Sequence, residues 1–292
     1  MTGWLIVNEF LQSNKFNEIH MWLLDAAKNH GINLLLKTNS EILIDIKSEQ
    51  KNMITEQVDF ALFWDKDIRL AKYLEYIGLR LFNPAEAIAI CDDKSLTHIR
   101  LMNSGIPMPR TMVAPMTYNN IGYTNLNFLM GVSEELGFPM IVKECFGSFG
   151  QQVYLVNDYN DLKSIVKELE AKPILFQEFI KSSHGRDIRL QVVGDKVIAS
   201  MLRYSDNGDF RANLSIGGKM KVYNPSKEEI ELAVKCCNAI GLDFAGVDIL
   251  FGENGQPLVC EVNSNAHFKN IFDCTGVNAA DWIIQHIKNK IG

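Results

Sequence analysis

The chain has 292 residues, 47% of them hydrophobic, with a mean hydropathy of -0.03. That excludes a disordered or fibrous protein and leaves length for two or three packed units. With 29 basic against 35 acidic residues the net charge is -6, which argues against an extended nucleic-acid surface. No apolar run approaches the roughly 18 residues of a membrane span, and no basic leader with a cleavage-like segment stands at the start. A cytoplasmic chain with neither membrane nor nucleic-acid partners is expected. The six cysteines, at 91, 145, 236, 237, 260 and 274, make no CxxC pair or zinc-like spacing, so reduced structural thiols are expected.

Strand-like runs at 4–7, 32–36 and 60–64 alternate with amphipathic helix patterns at 16–29 and 68–77. This α/β alternation reads as a small Rossmann-like domain ending at Leu81-Phe82-Asn83-Pro84. Neither common nucleotide fingerprint is present. No GxGxxG follows the first strand, and Gly218-Lys219 fails the P-loop pattern because Asn213 and Met220 occupy required positions.

A helix is predicted at 94–103, stopped by Gly105 and Pro107. Beyond it, strand-like runs at 139–143, 152–156, 174–179, 188–193 and 196–204 are joined by short glycine-containing turns, with helix patterns at 126–136, 162–169 and 228–240. The second part is therefore α+β with largely antiparallel sheets. No internal repeat is visible.

The last hairpin is the most informative. Asn254-Gly255 separates two β-rich runs, and a type I′ turn needs positive φ at both central residues. With those two as the loop, Glu253 faces Gln256 and Asp248 falls opposite Glu261, with Asn263 two residues on. Period-two alternation then places Asp248, Glu261, Asn263 and Gly246 on one face, and Val247, Ile249, Phe251, Leu258, Cys260 and Val262 on the other. Opposed carboxylates repel unless something positive lies between them. Two carboxylates and an amide oxygen are too few for a caged Ca²⁺ but suit Mg²⁺, which also takes ligands from phosphates. The competing reading is a solvated sheet edge.

Taken in order, Asp93-Lys94, Ile141-Val142-Lys143, Gly147-Ser148-Phe149-Gly150, Phe176-Gln177-Glu178-Phe179-Ile180, Gly185-Arg186-Asp187-Ile188-Arg189, Gly208-Asp209-Phe210-Arg211-Ala212-Asn213, Ala245-Gly246-Val247-Asp248 and Glu261-Val262-Asn263 resemble the motifs of the ATP-grasp superfamily. The likeness is to the branch containing ribosomal protein S6 glutamate ligase and the amino-acid-carrier-protein ligases of lysine and arginine biosynthesis. It runs from about residue 83 to the C-terminus. Phe268-Lys269-Asn270 and Thr275-Gly276-Val277 look nearer to the carrier-protein ligases. Ser264-Asn265-Ala266-His267 stands where the S6 ligase has a Ser-Pro-Gly-like stretch, which leaves the acceptor open.

The resemblance implies an ATP-grasp fold: a Rossmann-like pre-ATP-grasp domain at 1–83, a central lid subdomain at 84–178 and a C-terminal subdomain with the metal site at 179–292. The two α+β subdomains would enclose the nucleotide. It also implies an ADP-forming carboxylate-amine ligase that makes an amide bond through an acylphosphate. Its partners would be ATP, an amino acid and a carboxylate-bearing peptide, carrier protein or small molecule; a homo-oligomer is left open.

Such chemistry needs cations around the transferred phosphoryl group. By resemblance Lys143 contacts the α- and β-phosphates, assisted by Lys94, and the 147–150 loop with Gly147 and Ser148 closes over them. Glu178 and Phe179 read adenine and Asp187 lies near the nucleoside. Arg211 and Asn213 take phosphate-side positions, Arg203 stabilises developing phosphoryl charge, and Arg189 meets an anionic substrate or phosphate. Lys143, Arg203 and Arg211 are the catalytic set. Because an Asn207-Gly208 hairpin would put Arg203 and Arg211 on opposite faces, a bulge or loop is required between them. Asp248, Glu261 and Asn263 would hold Mg²⁺, as two ions with Glu261 bridging, Mn²⁺ being an alternative. His184, His267 and Cys145 form no nucleophilic arrangement; His267 is expected to shape the acceptor pocket. The rival function is an ATP-binding regulator that has lost catalysis, but such a protein usually drops a metal ligand or the phosphate lysine, and both are present.

Overall fold

The computed structural model describes residues 1–46, 58–148 and 150–292; Phe149 of the predicted glycine-rich loop lies outside the described residues. The N-terminal part forms a parallel sheet of β1 (Thr2–Val7), β2 (Asn33–Thr38), β3 (Phe60–Trp64) and β4 (Leu81–Phe82), in the order β2-β1-β3-β4. Both faces of the inner strands β1 and β3 are buried, as parallel strands require, while β2 is a partly exposed edge. Leu5, Val7, Phe60 and Leu62 point to one side, with Ile19 and Leu23 of α1 (Asn14–Asn29); Trp4, Ile6, Ala61 and Phe63 point to the other, with Leu70 and Leu74 of α2 (Ile68–Tyr76).

Two helices follow, α3 (Ala85–Asp92) and α4 (Lys94–Met102), the second capped by Asp93, which accepts from the Ser95 and Leu96 N–H groups. The middle sheet is antiparallel, with β5 (Thr111–Val113), β6 (Met140–Glu144), β7 (Val153–Val156) and β8 (Ile174–Glu178) in the order β5-β8-β6-β7. Helices α5 (Phe128–Leu136) and α6 (Tyr159–Leu169) cover one face over Met140, Val142 and Phe176. Period-two alternation therefore turns Ile141, Lys143 and Gln177 to the other face, which lines a cavity.

The third sheet is antiparallel, with β9 (Arg186–Val193), β10 (Lys196–Tyr204), β11 (Lys219–Val222), β12 (Phe244–Phe251) and β13 (Pro257–Asn263) in the order β11-β10-β9-β12-β13. Helix α7 (Lys227–Ile240) begins with a Ser226/Glu229 capping box and covers Ile188, Leu190, Val247 and Ile249. Helices α8 (Lys269–Thr275) and α9 (Ala279–Ile291) end the chain.

The cores do not follow chain order. Ala87, Ile90, Cys91 and Leu101 of α3 and α4 pack into the core of the third sheet, and Ile283, Ile284 and Ile287 of α9 pack against Leu5, Ile19 and Leu23 of the first. Asn83 adds a buried polar tie: its Oδ1 accepts from the Asp243 and Phe244 N–H groups, and its Nδ2 donates to the Phe244 and Ser264 carbonyls. The first and third sheets are thus fixed to one another. Among the described residues no helix is long and apolar enough to cross a membrane.

Candidate active site

The β12–β13 hairpin pairs Asp248 with Glu261 and Gly246 with Asn263. The predicted pairing is reached by an unpredicted route. The turn has three residues: Gly252 and Gln256 close it, the Gly255 N–H donates to the Gly252 carbonyl, and Gly255 takes φ +77. A type I turn followed by a left-handed glycine is a low-energy alternative to a two-residue loop. It shifts Ile249 opposite Val259, and a bulge at Cys260 restores the register at Asp248. Two placements are thereby corrected. Cys260, expected in the core, lines the cavity with its Sγ 3.6 Å from Lys143 Nζ, and Leu258 pairs with cavity-lining Leu250, while Val259 takes the core position.

Four charges cross three adjacent strands. Asp187 and Arg189 stand two apart on β9, Arg203 pairs with Asp187 from β10, and Asp248 pairs with Arg189 from β12. Arg189 grips Asp248 with two bonds of 2.7 and 2.6 Å, while Arg203 reaches Asp187 at 2.6 Å and Asp248 at 2.9 Å. Burial presses the Asp248 carboxyl upward, but the two guanidiniums outweigh it and hold the group below the ordinary carboxylate range. Asp187 is raised by burial, against the pull of Arg203. Arg189, expected on an anionic substrate or phosphate, meets Asp248 instead.

Lys94 and Arg211 hold the glycine-rich loop. Lys94 Nζ donates to the Gly147 carbonyl at 3.0 Å and Arg211 Nη1 to the Gly150 carbonyl at 2.9 Å. Both glycines have positive φ, +134 and +74, and a Cβ on Gly150 would lie 2.6 Å from Asn213 Oδ1, so only glycine lets the loop approach this closely. The segment after β10 is irregular, as the required loop between Arg203 and Arg211 demanded, and delivers both to the cavity.

Lys143 is buried and donates to Gln177 Oε1 at 2.7 Å; Gln177 Nε2 lies 3.0 Å from His98 Nε2 and 2.8 Å from Thr111 Oγ1. His98 Nδ1 faces the Lys94 carbonyl at 2.8 Å, so the proton is on Nδ1 and Nε2 accepts. Burial first, then the neighbouring Lys143 charge, lowers the His98 pKa from 6.5 to about 4. The unfolded chain protonates this ring near 6.5 and the folded chain only near 4, so stability is lost as pH falls through that window, by up to about 3 kcal/mol. Urea midpoints measured from pH 7 to pH 4 are expected to fall, with a shallower slope in His98→Asn. Gln177 and His98 were not assigned from sequence; the only signal was a polar residue on the cavity-facing side of β8.

All predicted catalytic, nucleotide and metal-site residues except Asn263 and Arg189 line one cavity of about 120 Å³. Asn263 lines a second cavity of about 420 Å³. The two meet at Ser148, Arg203, Asn213 and Glu261. The predicted cation donors can be tested by their surroundings. Lys94 Nζ is 3.7 Å from a Glu261 oxygen, and Asn263 Nδ2 is buried without a partner. Hard oxygen donors from Glu261 and Asn263 fit Mg²⁺, whereas both Asp248 oxygens are taken by Arg189 and Arg203. Among the described residues no group of three or more His, Cys, Asp or Glu is arranged around a common point.

Two antiparallel sheets with helical covers, closing on a cation-lined cleft behind a Rossmann-like unit, are the ATP-grasp architecture. A RimK domain ATP-grasp protein from Sphaerobacter thermophilus aligns over 98% of both chains with a TM-score of 0.73 and 19% identity, and D-alanine–D-alanine ligase from Bacillus anthracis over 99% of this chain and 96% of its own, with a TM-score of 0.71 and 18% identity. The RimK-like ATP-grasp domain matches residues 91–287, and the chain belongs to that family. Its curated relatives include beta-citrylglutamate synthase B of Danio rerio, 37% identical over 78% of this chain and 56% of the relative, and N-acetylaspartylglutamate synthase A of Homo sapiens, 37% identical over 70% and 51%. The probable alpha-L-glutamate ligase of Legionella pneumophila (strain Corby) is 36% identical over 75% of this chain and 70% of its own. The chain spans about half the length of the two synthases it matches.

Proposed function

We propose that the protein is an ADP-forming ligase that activates a carboxylate as an acylphosphate and joins it to the amine of an amino acid. The observation that carries this reading is the wall common to both cavities. Ser148, Arg203, Asn213 and Glu261 stand between a nucleotide-side cleft and a second cavity, so a phosphoryl group leaving one side emerges beside a substrate on the other. The names of the relatives support glutamate as the amine and a small di- or tricarboxylate as its partner.

In this reading Lys143 and Lys94 bind phosphates, Glu178 and Phe179 border the adenine, Asp187 lies near the nucleoside, and Ser148 with the glycine loop covers the phosphates. Arg203, Arg211 and Asn213 neutralise the charge spread over the transferring group. Glu261 and Asn263, with Asp248, hold Mg²⁺, which when bound offsets the charge of the β- and γ-phosphates. Boundaries at 83 and 178 fall between the sheets, although helices on either side exchange cores. A cytoplasmic setting accords with the cysteines, all of which are unpaired.

An ADP-release screen of L-glutamate with citrate, N-acetyl-L-aspartate and a glutamate-ending peptide, followed by product mass, tests the proposal. Release that depends on both substrates supports it; ATP binding without substrate-dependent ADP points to a regulator. Lys143→Ala is expected to raise the KM for ATP at least about tenfold and to lower kcat, since a buried phosphate-directed cation is lost. Steady-state kinetics with varied ATP decide it, and an unchanged ATP response would remove Lys143 from the site.

A further inference from the structure

Lys143 is a buried cation that lines the cleft, and among the described residues it has no carboxylate partner. Two of its three ammonium donors meet neutral groups instead, Gln177 Oε1 at 2.7 Å and the Cys260 sulfur at 3.6 Å. A buried charge is costly unless an opposite charge meets it. A carboxylate from the chain would cancel the charge, whereas an amide oxygen fixes the ammonium and leaves its charge for an anion in the cleft. Gln177 is placed for this by register: it pairs with Ile141, two residues before Lys143 on the same face of the middle sheet, a diagonal that long side chains span.

Each hydrogen bond behind Gln177 has one possible direction. Thr111 Oγ1 donates its proton to the Pro109 carbonyl at 2.9 Å, so it accepts from Gln177 Nε2. His98 Nδ1 donates to the Lys94 carbonyl, which leaves the Nε2 lone pair for the second Gln177 N–H at 3.0 Å. Burial and then the Lys143 charge keep the ring neutral. With both Nε2 hydrogens committed, the carboxamide cannot turn over, and its oxygen is the end that faces Lys143. A reversed amide would aim N–H groups at the ammonium. The chain of bonds runs from α4 through β8 to β6, and its three members are 7%, 2% and 7% exposed for His98, Gln177 and Lys143.

Resting on the phosphate role given to Lys143, we propose that His98 and Gln177 are positioning residues for the nucleotide: through a chain of neutral hydrogen bonds they fix the Lys143 ammonium in the cleft with its charge intact. Gln177 meets the lysine directly. His98 stands outside the cavity lining and acts through Gln177, by choosing which end of the carboxamide the lysine meets.

Calorimetric titration of the full chain compares a non-hydrolysable ATP analogue, with Mg²⁺, against adenosine. His98→Leu is expected to weaken the ATP analogue about fivefold and adenosine less than about twofold, because only the phosphates meet Lys143. His98→Gln, whose carbonyl offers Gln177 an acceptor again, is expected to stay within about twofold of the wild type. In a Lys143→Ala background His98→Leu is expected to cost nothing further, since the group it acts through is gone. Gln177→Glu keeps the volume but sets a carboxylate on Lys143, and is expected to weaken the ATP analogue about tenfold with adenosine unchanged; it decides the matter if His98→Leu fails to fold. Equal losses for the ATP analogue and adenosine, equal losses in His98→Leu and His98→Gln, or additive losses with Lys143→Ala would overturn the assignment. If Lys143→Ala itself leaves the ATP analogue unaffected, the phosphate role of Lys143 falls and the proposal with it. If Lys143→Ala weakens the analogue while His98→Leu and Gln177→Glu do not, the positioning role alone falls.

Discussion

Glu261→Gln is expected to lower kcat by about a thousandfold or more while the fold is retained. Glu261 lines both cavities, and its side chain is 28% exposed. Glutamine keeps the volume and one oxygen but removes the charge on which the proposed cation site relies. Little stability is at stake, because the contact with Lys94 spans 3.7 Å and is partly solvated. Turnover at saturating Mg²⁺ and the melting temperature separate the two effects. A variant with near-full activity would remove Glu261 from the metal set.

Asp248→Ala should produce the largest loss of stability, about 3–5 kcal/mol, together with loss of activity. The carboxylate is 5% exposed and faces Arg189 and Arg203. Its removal leaves Arg189 without that partner and Arg203 with Asp187 alone, so buried positive charge is no longer balanced. Urea denaturation measures the cost, and a change below about 1 kcal/mol would show that solvent or relaxation already screens the cluster. The pH dependence has a definite sign. Because the folded carboxyl is held below its ordinary value, its contribution is present above the ordinary carboxylate pKa and disappears as pH falls through the folded value. Asp187, raised by burial, contributes in the opposite sense: its share is present in acid and lost as pH rises through its folded pKa.

Much of the cleft could be read from short-range pattern. The alternation in Met140, Ile141, Val142 and Lys143 already sends the lysine away from the helical cover, and the glycines at 147 and 150 mark a backbone that must approach other atoms closely. What escaped the sequence was the detail of one turn and the long-range packing. The turn at Gly252–Gln256 added a residue that a bulge at Cys260 took back, so the pairing of Asp248 survived while Leu258 and Cys260 changed faces. Helix α3 was missed because Ala85–Asp92 is nearly all apolar and lacks a polar face to give it a period. Its burial depends on α7 and a sheet more than ninety residues downstream. The arginine clamp on Asp248 likewise depends on registers among β9, β10 and β12 that local sequence does not encode.

Isotope transfer tests the central claim most directly. A carboxylate substrate labelled with heavy oxygen, converted with ATP and L-glutamate, is expected to pass one labelled oxygen to the released phosphate, because the carboxylate oxygen that attacks the γ-phosphorus stays on that phosphorus when the amine displaces it. Unlabelled phosphate accompanying a full yield of amide, or AMP and pyrophosphate in place of ADP, would contradict the account.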